Sequence, residues 1–143
     1  MKSLIQSVEL RYFIHATEDP EKVRSAVASL VGVATNPETE LLEGHFGNEI
    51  MKVTVHLTGE DAQRAFGRIA SQMSRDMKRR VVEGMAEFLD EHSALFLRLD
   101  KQDLVSGKVS LGAGDAVRVK VKPRMYLVKG EARELYSQLM GGG

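Results

Sequence analysis

Several segments of the chain alternate apolar and polar residues, which is typical of strands that bury one face of a sheet. The clearest alternation runs through residues 7–17, and its apolar side carries Val8, Leu10, Tyr12 and Ile14. Similar patterns predict further strands at 38–46, 50–57, 94–100, 108–112 and 116–123. The sequence GNE at 47–49 predicts a hairpin between the second and third strands, because Gly and Asn readily adopt positive φ.

Between the strands, apolar residues recur at helical spacing. Asp19 followed by Pro20 predicts a helix start, since Asp is a good N-cap and Pro suits the first helical turn. Gly32 predicts the end of that helix. Further helices are predicted at 58–73, 74–92 and 129–140.

The predicted order of elements is β-α-β-β-α-α-β-β-β-α, in one domain that spans residues 1–143 with 141–143 as a flexible tail. No internal repeat, linker or low-complexity segment divides the chain. This order favours a single α+β domain in which helices pack on one face of a largely antiparallel sheet. The opposite face of the sheet is then open.

Strand alternation divides the predicted sheet into a helix-facing side and an outer side. The helix-facing side is apolar and carries Val8, Leu10, Tyr12, Ile14, Met51, Val53, Val55, Leu57, Leu95, Leu97, Leu99, Val117, Val119 and Val121. The outer side is basic with aromatic and imidazole rings interleaved, and it carries Glu9, Arg11, Phe13, His15, Lys52, Thr54, His56, Phe96, Arg98, Asp100, Arg118, Lys120 and Lys122. A sheet face of this kind is suited to RNA, since Lys and Arg pair with phosphates and rings stack on unpaired bases.

The candidate phosphate-binding residues are Arg98, Lys101, Lys108, Arg118, Lys120, Lys122 and Arg124. The candidate stacking groups are Phe13, His15, His56 and Phe96. A solvated face is the simpler interpretation, because lysines on an edge strand deter aggregation. Three successive cations at 118, 120 and 122 with no acid between them favour a binding surface, because like charges repel one another.

The overall charge does not reveal this basic region. The 143-residue chain has 20 Lys and Arg against 20 Asp and Glu, which excludes a globally basic nucleic-acid binder. Within 98–129, however, eight basic residues accompany three acidic ones. The sequence has no cysteine, no signal-peptide pattern and no apolar run near the roughly 18 residues of a membrane span. We expect a cytoplasmic protein that does not enter a membrane.

No pattern in the sequence predicts catalysis, a metal site or a cofactor. Closely spaced histidines, a G-x-S-x-G elbow and a phosphate-binding loop are all missing from the sequence. Asp100 and Asp103 lie near a turn, where carboxylates more often cap helices than bind cations. The sequence therefore indicates a non-enzymatic protein.

Four short motifs occur together in this chain: FIHATED (13–19), EGHFGN (43–48), LRLDKQ (97–102) and VRVKVKPR (117–124). In this order they resemble an archaeal family of small proteins described as RNA-binding or as predicted exosome subunits. The resemblance covers about residues 5–140 and implies a fold like that of large-subunit ribosomal protein five. It places the family signature on His45, Phe46, Gly47, Asn48, Asp100, Lys101 and Gln102.

The leading hypothesis is an RNA-binding protein that acts as an accessory factor in RNA processing or degradation, or in ribosome-related assemblies. Its expected partners are RNA and exosome or other RNA-processing proteins. The alternative is a protein-interaction module, for example a homodimer formed by pairing of edge strands. If the last helix folds across the open face, it buries Phe96 and covers this surface.

Overall fold

The computed structural model describes residues 4–44, 47–125, 127 and 129–141. His45 and Phe46, two positions of the family signature, lie outside the described residues. The elements along the chain are β1 (Ile5–His15), α1 (Pro20–Val31), β2 (Glu38–Glu43), β3 (Glu49–Thr58), α2 (Gly59–Ser71), α3 (Arg75–Glu83), α4 (Met85–Phe88), β4 (Leu95–Asp100), α5 (Lys101–Val105), β5 (Ala116–Pro123) and α6 (Lys129–Leu139).

The strands form one five-stranded sheet in the order β2-β3-β1-β5-β4, and every neighbouring pair is antiparallel. β1 occupies the centre, between β3 and β5. Since antiparallel sheets tolerate water on one side, helices on a single face are enough to bury the core. The predicted single α+β domain is confirmed.

The helix-facing side of the sheet forms the core, as the alternation predicts. The predicted apolar positions are buried, apart from Met51, which is half-buried beside the β2 edge. Helix α2 completes this core with Phe66 and Ile69, both fully buried against the sheet layer.

The first helix begins and ends where the sequence predicts. The Asp19 carboxylate accepts a hydrogen bond of 3.0 Å from the backbone N–H of Glu21, and Pro20 occupies the first turn. At the other end Gly32 has a φ of +66°, and its N–H donates to the carbonyl of Ala28. Glycine adopts this left-handed conformation without a steric penalty, so the helix stops there.

Two predicted elements differ in the structure. Residues 108–112 are not a strand but make isolated bridges, Val109 to Met73 and Leu111 to Leu99, and α5 forms directly after β4. The helix predicted over 74–92 divides at Gly84 into α3 and the short α4. Glycine weakens a helix interior, which accounts for the break.

The last helix packs within the helical layer and leaves the open face of the sheet uncovered. Tyr136 of α6 is fully buried and meets the ring of Phe66 edge-on, at 6.0 Å between centroids. Its hydroxyl donates to the carbonyl of Ser93 at 2.7 Å. Burial raises the pKa of Tyr136 well above its usual value, with a smaller contribution from the charge of Asp90. Phe96 accordingly stays 42% exposed on the other side of the sheet.

Candidate nucleic-acid interface

The open face is organised by the register of β4, β5 and β1. One row across the sheet pairs Arg98 with Arg118 and Arg118 with Arg11. We call these three residues the arginine row. The next row pairs Phe96 with Lys120 and Lys120 with Glu9. Because direct cross-strand partners lie about 4.5–5.5 Å apart at Cβ, the register brings cations from three strands together.

The arginine row has little compensating negative charge. Arg11 contacts Glu9 at 3.2 Å, and its Nε is buried without a hydrogen-bond partner. Across the described part of the chain, neither Arg98 nor Arg118 has an ion pair with a carboxylate. Like charges placed directly opposite each other destabilise a sheet, so this arrangement lowers the folding stability of the protein without a bound ligand.

A cleft of about 630 Å³ lies above the arginine row. One wall comes from the break between α3 and α4, where Arg80, Glu87 and Phe88 stand beside the sheet. Arg80 pairs with Glu87 at 2.7 Å, and its guanidinium lies 5.3 Å from the centroid of the Phe88 ring. Five cations and two carboxylates line the cleft: Arg11, Arg80, Arg98, Arg118, Lys120, Glu9 and Glu87.

Phe96 gives the cleft an apolar ring beside its cations. The ammonium group of Lys120 lies 5.3 Å from the centroid of this ring. The two residues are direct cross-strand partners on β4 and β5. A cation and an exposed ring side by side match the two parts of a nucleotide, its phosphate and its base.

Lys101 does not belong to this surface, and its assignment as a phosphate contact is corrected. Its side chain is 0% exposed and donates to Glu18 at 2.7 Å and to the carbonyl of Phe13 at 2.8 Å. It also pairs with Asp115 at 2.5 Å. We call Lys101, Glu18 and Asp115 the Lys101 cluster. A buried charge needs such partners, so Lys101 ties α5 and the turn before β5 to the end of β1.

Asp100 and Gln102 flank this buried lysine in the LRLDKQ motif. The Asp100 carboxylate accepts a hydrogen bond of 2.8 Å from the backbone N–H of Asp103, and so caps α5. Gln102 is exposed on the same short helix. Only Arg98 of this motif reaches the open face, so most of LRLDKQ has a structural role.

The remaining candidate cations are spread more widely. Lys122 is exposed on β5 and continues the line of Arg118 and Lys120. Arg124 is exposed just after β5. Lys108 is exposed in the loop after α5 and borders a different cleft, beside Ser74 at the start of α3.

The other candidate rings lie outside the cleft. Phe13 is half-buried near the end of β1, and His15 stands 3.4 Å from Asp115. His56 is exposed on β3, 3.9 Å from Glu9. Among the signature positions that the structure describes, Gly47 has a φ of +77°, and Asn48 accepts a hydrogen bond from Gly44 across the same turn. Turn geometry is a sufficient role for both.

One group of described side chains has the spacing of metal ligands: His15, Glu18 and Asp115. The ammonium group of Lys101 already pairs with both carboxylates. This buried cation supplies the positive charge that a metal ion would bring, so the group is accounted for by the Lys101 cluster.

The cationic and aromatic residues of the cleft include three that were absent from the candidates: Arg11, Arg80 and Phe88. Arg11 alternates onto the outer side of β1, and only the β1–β5 register reveals that it adjoins Arg118. Arg80 and Phe88 come from α3 and α4, on the two sides of a helix break at Gly84 that the sequence pattern did not predict.

Comparison with known proteins assigns the chain to a family. The family model described as RNA binding matches residues 7–123. The chain belongs to this RNA-binding family. It is 33% identical over 133 residues to an RNA-binding protein of Pyrococcus abyssi, across 88% of this chain and 86% of the relative. This relative is named as a binding protein and not as an enzyme, in agreement with the predicted non-enzymatic role.

Solved structures of family members share the fold. A protein of Archaeoglobus fulgidus is 28% identical, with a TM-score of 0.77 over 94% of this chain and 99% of that one. A protein of Methanothermobacter thermautotrophicus is 30% identical, with a TM-score of 0.72 over 95% and 98% of the two chains. Within the described residues, no helix of this RNA-binding family member is long and apolar enough to cross a membrane.

Proposed function

We propose that this protein binds RNA through the cleft on the open face of its sheet, and that the arginine row contacts the phosphates. The observation that carries this proposal is the direct pairing of Arg98 with Arg118, and of Arg118 with Arg11, in a cleft with few carboxylates. Membership of the RNA-binding family supplies the class of ligand.

The physical reason is electrostatic compensation. Three guanidinium groups in one row repel one another in the free protein, and a phosphate between them turns this repulsion into attraction. Arginine is the residue best suited to the task, because its planar fork of donors matches phosphate oxygens. Lys120 and Lys122 continue the positive surface along β5. Phosphate contacts of this kind provide affinity and position but do not specify a sequence.

The proposal extends to the setting in which the protein works. We place it as an accessory factor in RNA processing or degradation, or in ribosome-related assemblies, in the cytoplasm, with exosome or other RNA-processing proteins as partners. These assignments rest on the family resemblance of the sequence, as does the likeness to ribosomal protein five. The homodimer and protein-interaction alternative likewise stays a prediction.

The test is the salt dependence of RNA binding by the Arg98→Gln/Arg118→Gln double variant. Each phosphate contact contributes about 0.7 to the slope of log affinity against log salt for single strands, and about 0.9 for duplexes. We expect the double variant to flatten the slope by roughly two such contacts and to be at least as stable to heat as the wild-type chain, because it also removes the repulsion within the arginine row.

The matched control removes two positive charges from the helix-covered side, as Lys22→Gln/Arg64→Gln. Both residues are exposed, on α1 and α2. We expect this control to bind RNA with the wild-type slope. Equal losses in the two double variants would show that only net charge matters, and an unchanged slope in Arg98→Gln/Arg118→Gln would reject the cleft as the binding site.

A further inference from the structure

We propose that the cleft receives an unpaired nucleotide, so that the protein selects single-stranded RNA over duplex RNA. This inference rests on the proposed function and adds the class of RNA. In this arrangement the arginine row holds a phosphate, and the exposed ring of Phe96 contacts the adjacent base.

The dimensions of the cleft favour single-stranded RNA as its ligand. Its volume of about 630 Å³ lies within the range of pockets that enclose small molecules. Arg80, Glu87 and Phe88 of α3 and α4 form one wall of the cleft, opposite the residues of the sheet. An A-form duplex presents a broad, shallow minor groove and offers no single base that fits between such walls.

The side chains that line the cleft also favour single-stranded RNA. Two phenylalanine rings, Phe88 and Phe96, line the cleft, and each has a cation 5.3 Å from its centroid. Phosphate binding alone requires no exposed ring, and an exposed Phe is unfavourable in water. A base can stack on such a ring only when it is unpaired and splayed out from its neighbours.

The charge distribution across the open face indicates where the RNA backbone lies. Lys122, Lys120 and Arg118 lie at every second position of β5, about 6.6 Å apart along the strand. On the far half of the same face, Glu38 and Glu40 of β2 lie opposite Thr54 and Lys52. These carboxylates repel phosphates, so the RNA backbone is expected to follow β5 and to avoid the β2 side.

The experiment compares a short oligoadenylate with a blunt RNA duplex of the same length, using the full chain and its Phe96→Leu variant. Leucine keeps the apolar character of position 96 but has no ring on which a base can stack. We expect wild-type protein to bind the oligoadenylate more tightly than the duplex. Phe96→Leu should weaken oligoadenylate binding about fivefold or more, the lower end of measured stacking contributions. Its effect on duplex binding should stay within about twofold.

The matched control is Phe13→Leu, which removes a ring from the same face but outside the cleft. It should leave both affinities unchanged, and thermal unfolding of each variant verifies that the fold is intact. Equal binding of the two RNAs, or equal losses of both in Phe96→Leu, overturns the single-strand assignment and leaves the proposed function standing. If neither RNA binds the wild-type chain, the proposed function itself fails.

Discussion

The Lys101 cluster and the arginine row lie close together in sequence but handle positive charge in opposite ways. Lys101 is fully buried, and two carboxylates and a carbonyl accept hydrogen bonds or an ion pair from its ammonium group. Arg98, three positions earlier, is exposed and faces another arginine. The comparison shows that a cation serves the fold where the protein supplies its counter-charge, and is available to a ligand where the protein does not.

The largest expected effect comes from breaking the Lys101 cluster. Lys101→Met leaves Glu18 and Asp115 without their cation. Because these carboxylates are 15% and 43% exposed, we expect a loss at the lower end of the roughly 3–5 kcal/mol that breaking a buried ion pair costs. The free energy of unfolding in urea measures this loss. Lys122→Met is the control, because Lys122 is exposed and we expect a change near zero. A loss below about 1 kcal/mol in Lys101→Met would show that the cluster is dispensable to the fold.

A smaller effect is expected when one acceptor is neutralised. Asp115→Asn keeps the shape of the side chain and leaves Lys101 paired with Glu18, so we expect a loss of about 1–2 kcal/mol, near the value of a hydrogen bond to a charged group. Asp115 is 43% exposed, against 15% for Glu18, so water screens its contribution. The same urea titration applied to Glu18→Gln should give the larger loss. The reverse order would contradict the burial argument.

The smallest effect has the opposite sign and concerns the arginine row. Arg118→Gln removes repulsion with both Arg98 and Arg11, and relief of like-charge cross-strand pairs should stabilise the free protein by about 0.2–1 kcal/mol. Lys122→Gln is the matched control on the same strand and face, because its cross-strand partner is Ser7 rather than a cation. The gain should shrink as salt rises, since exposed charges are screened. Equal stability changes in Arg118→Gln and Lys122→Gln would show that repulsion within the arginine row does not destabilise the protein.

The sequence predicts the faces of the sheet better than it predicts which segments meet. Alternation places Val8, Val119 and Leu97 inside and Arg98 outside, because a strand has a strict period of two. The same period, continued past Leu99, assigns Lys101 to the buried side, and this signal was available in the sequence. The partners Glu18 and Asp115 were not predictable, because they come from distant turns.

The cleft was only partly predictable for the same reason. Arg98, Arg118, Lys120 and Phe96 could be assigned to one face from their own strands. Arg11 joins them only through the long-range pairing of β1 with β5. Arg80 and Phe88 join from the two sides of the helix break at Gly84, and how these two short helices lie against the sheet depends on tertiary packing rather than on local pattern.

The segment that follows α5 has a consequence for how the protein behaves in a crowded solution. The backbone of Ser110 and Gly112 bonds to Asp100 and Arg98, while Leu89 bridges to Leu95, so both ends of the outer strand β4 are already paired. The opposite outer strand, β2, carries Glu38, Glu40 and Glu43. Two copies that paired along β2 would bring acidic side chains into close proximity. Pairing at both ends of β4 and the carboxylates of β2 both hinder the addition of further strands, which disfavours fibre-like aggregation and makes an edge-strand homodimer the less favoured alternative.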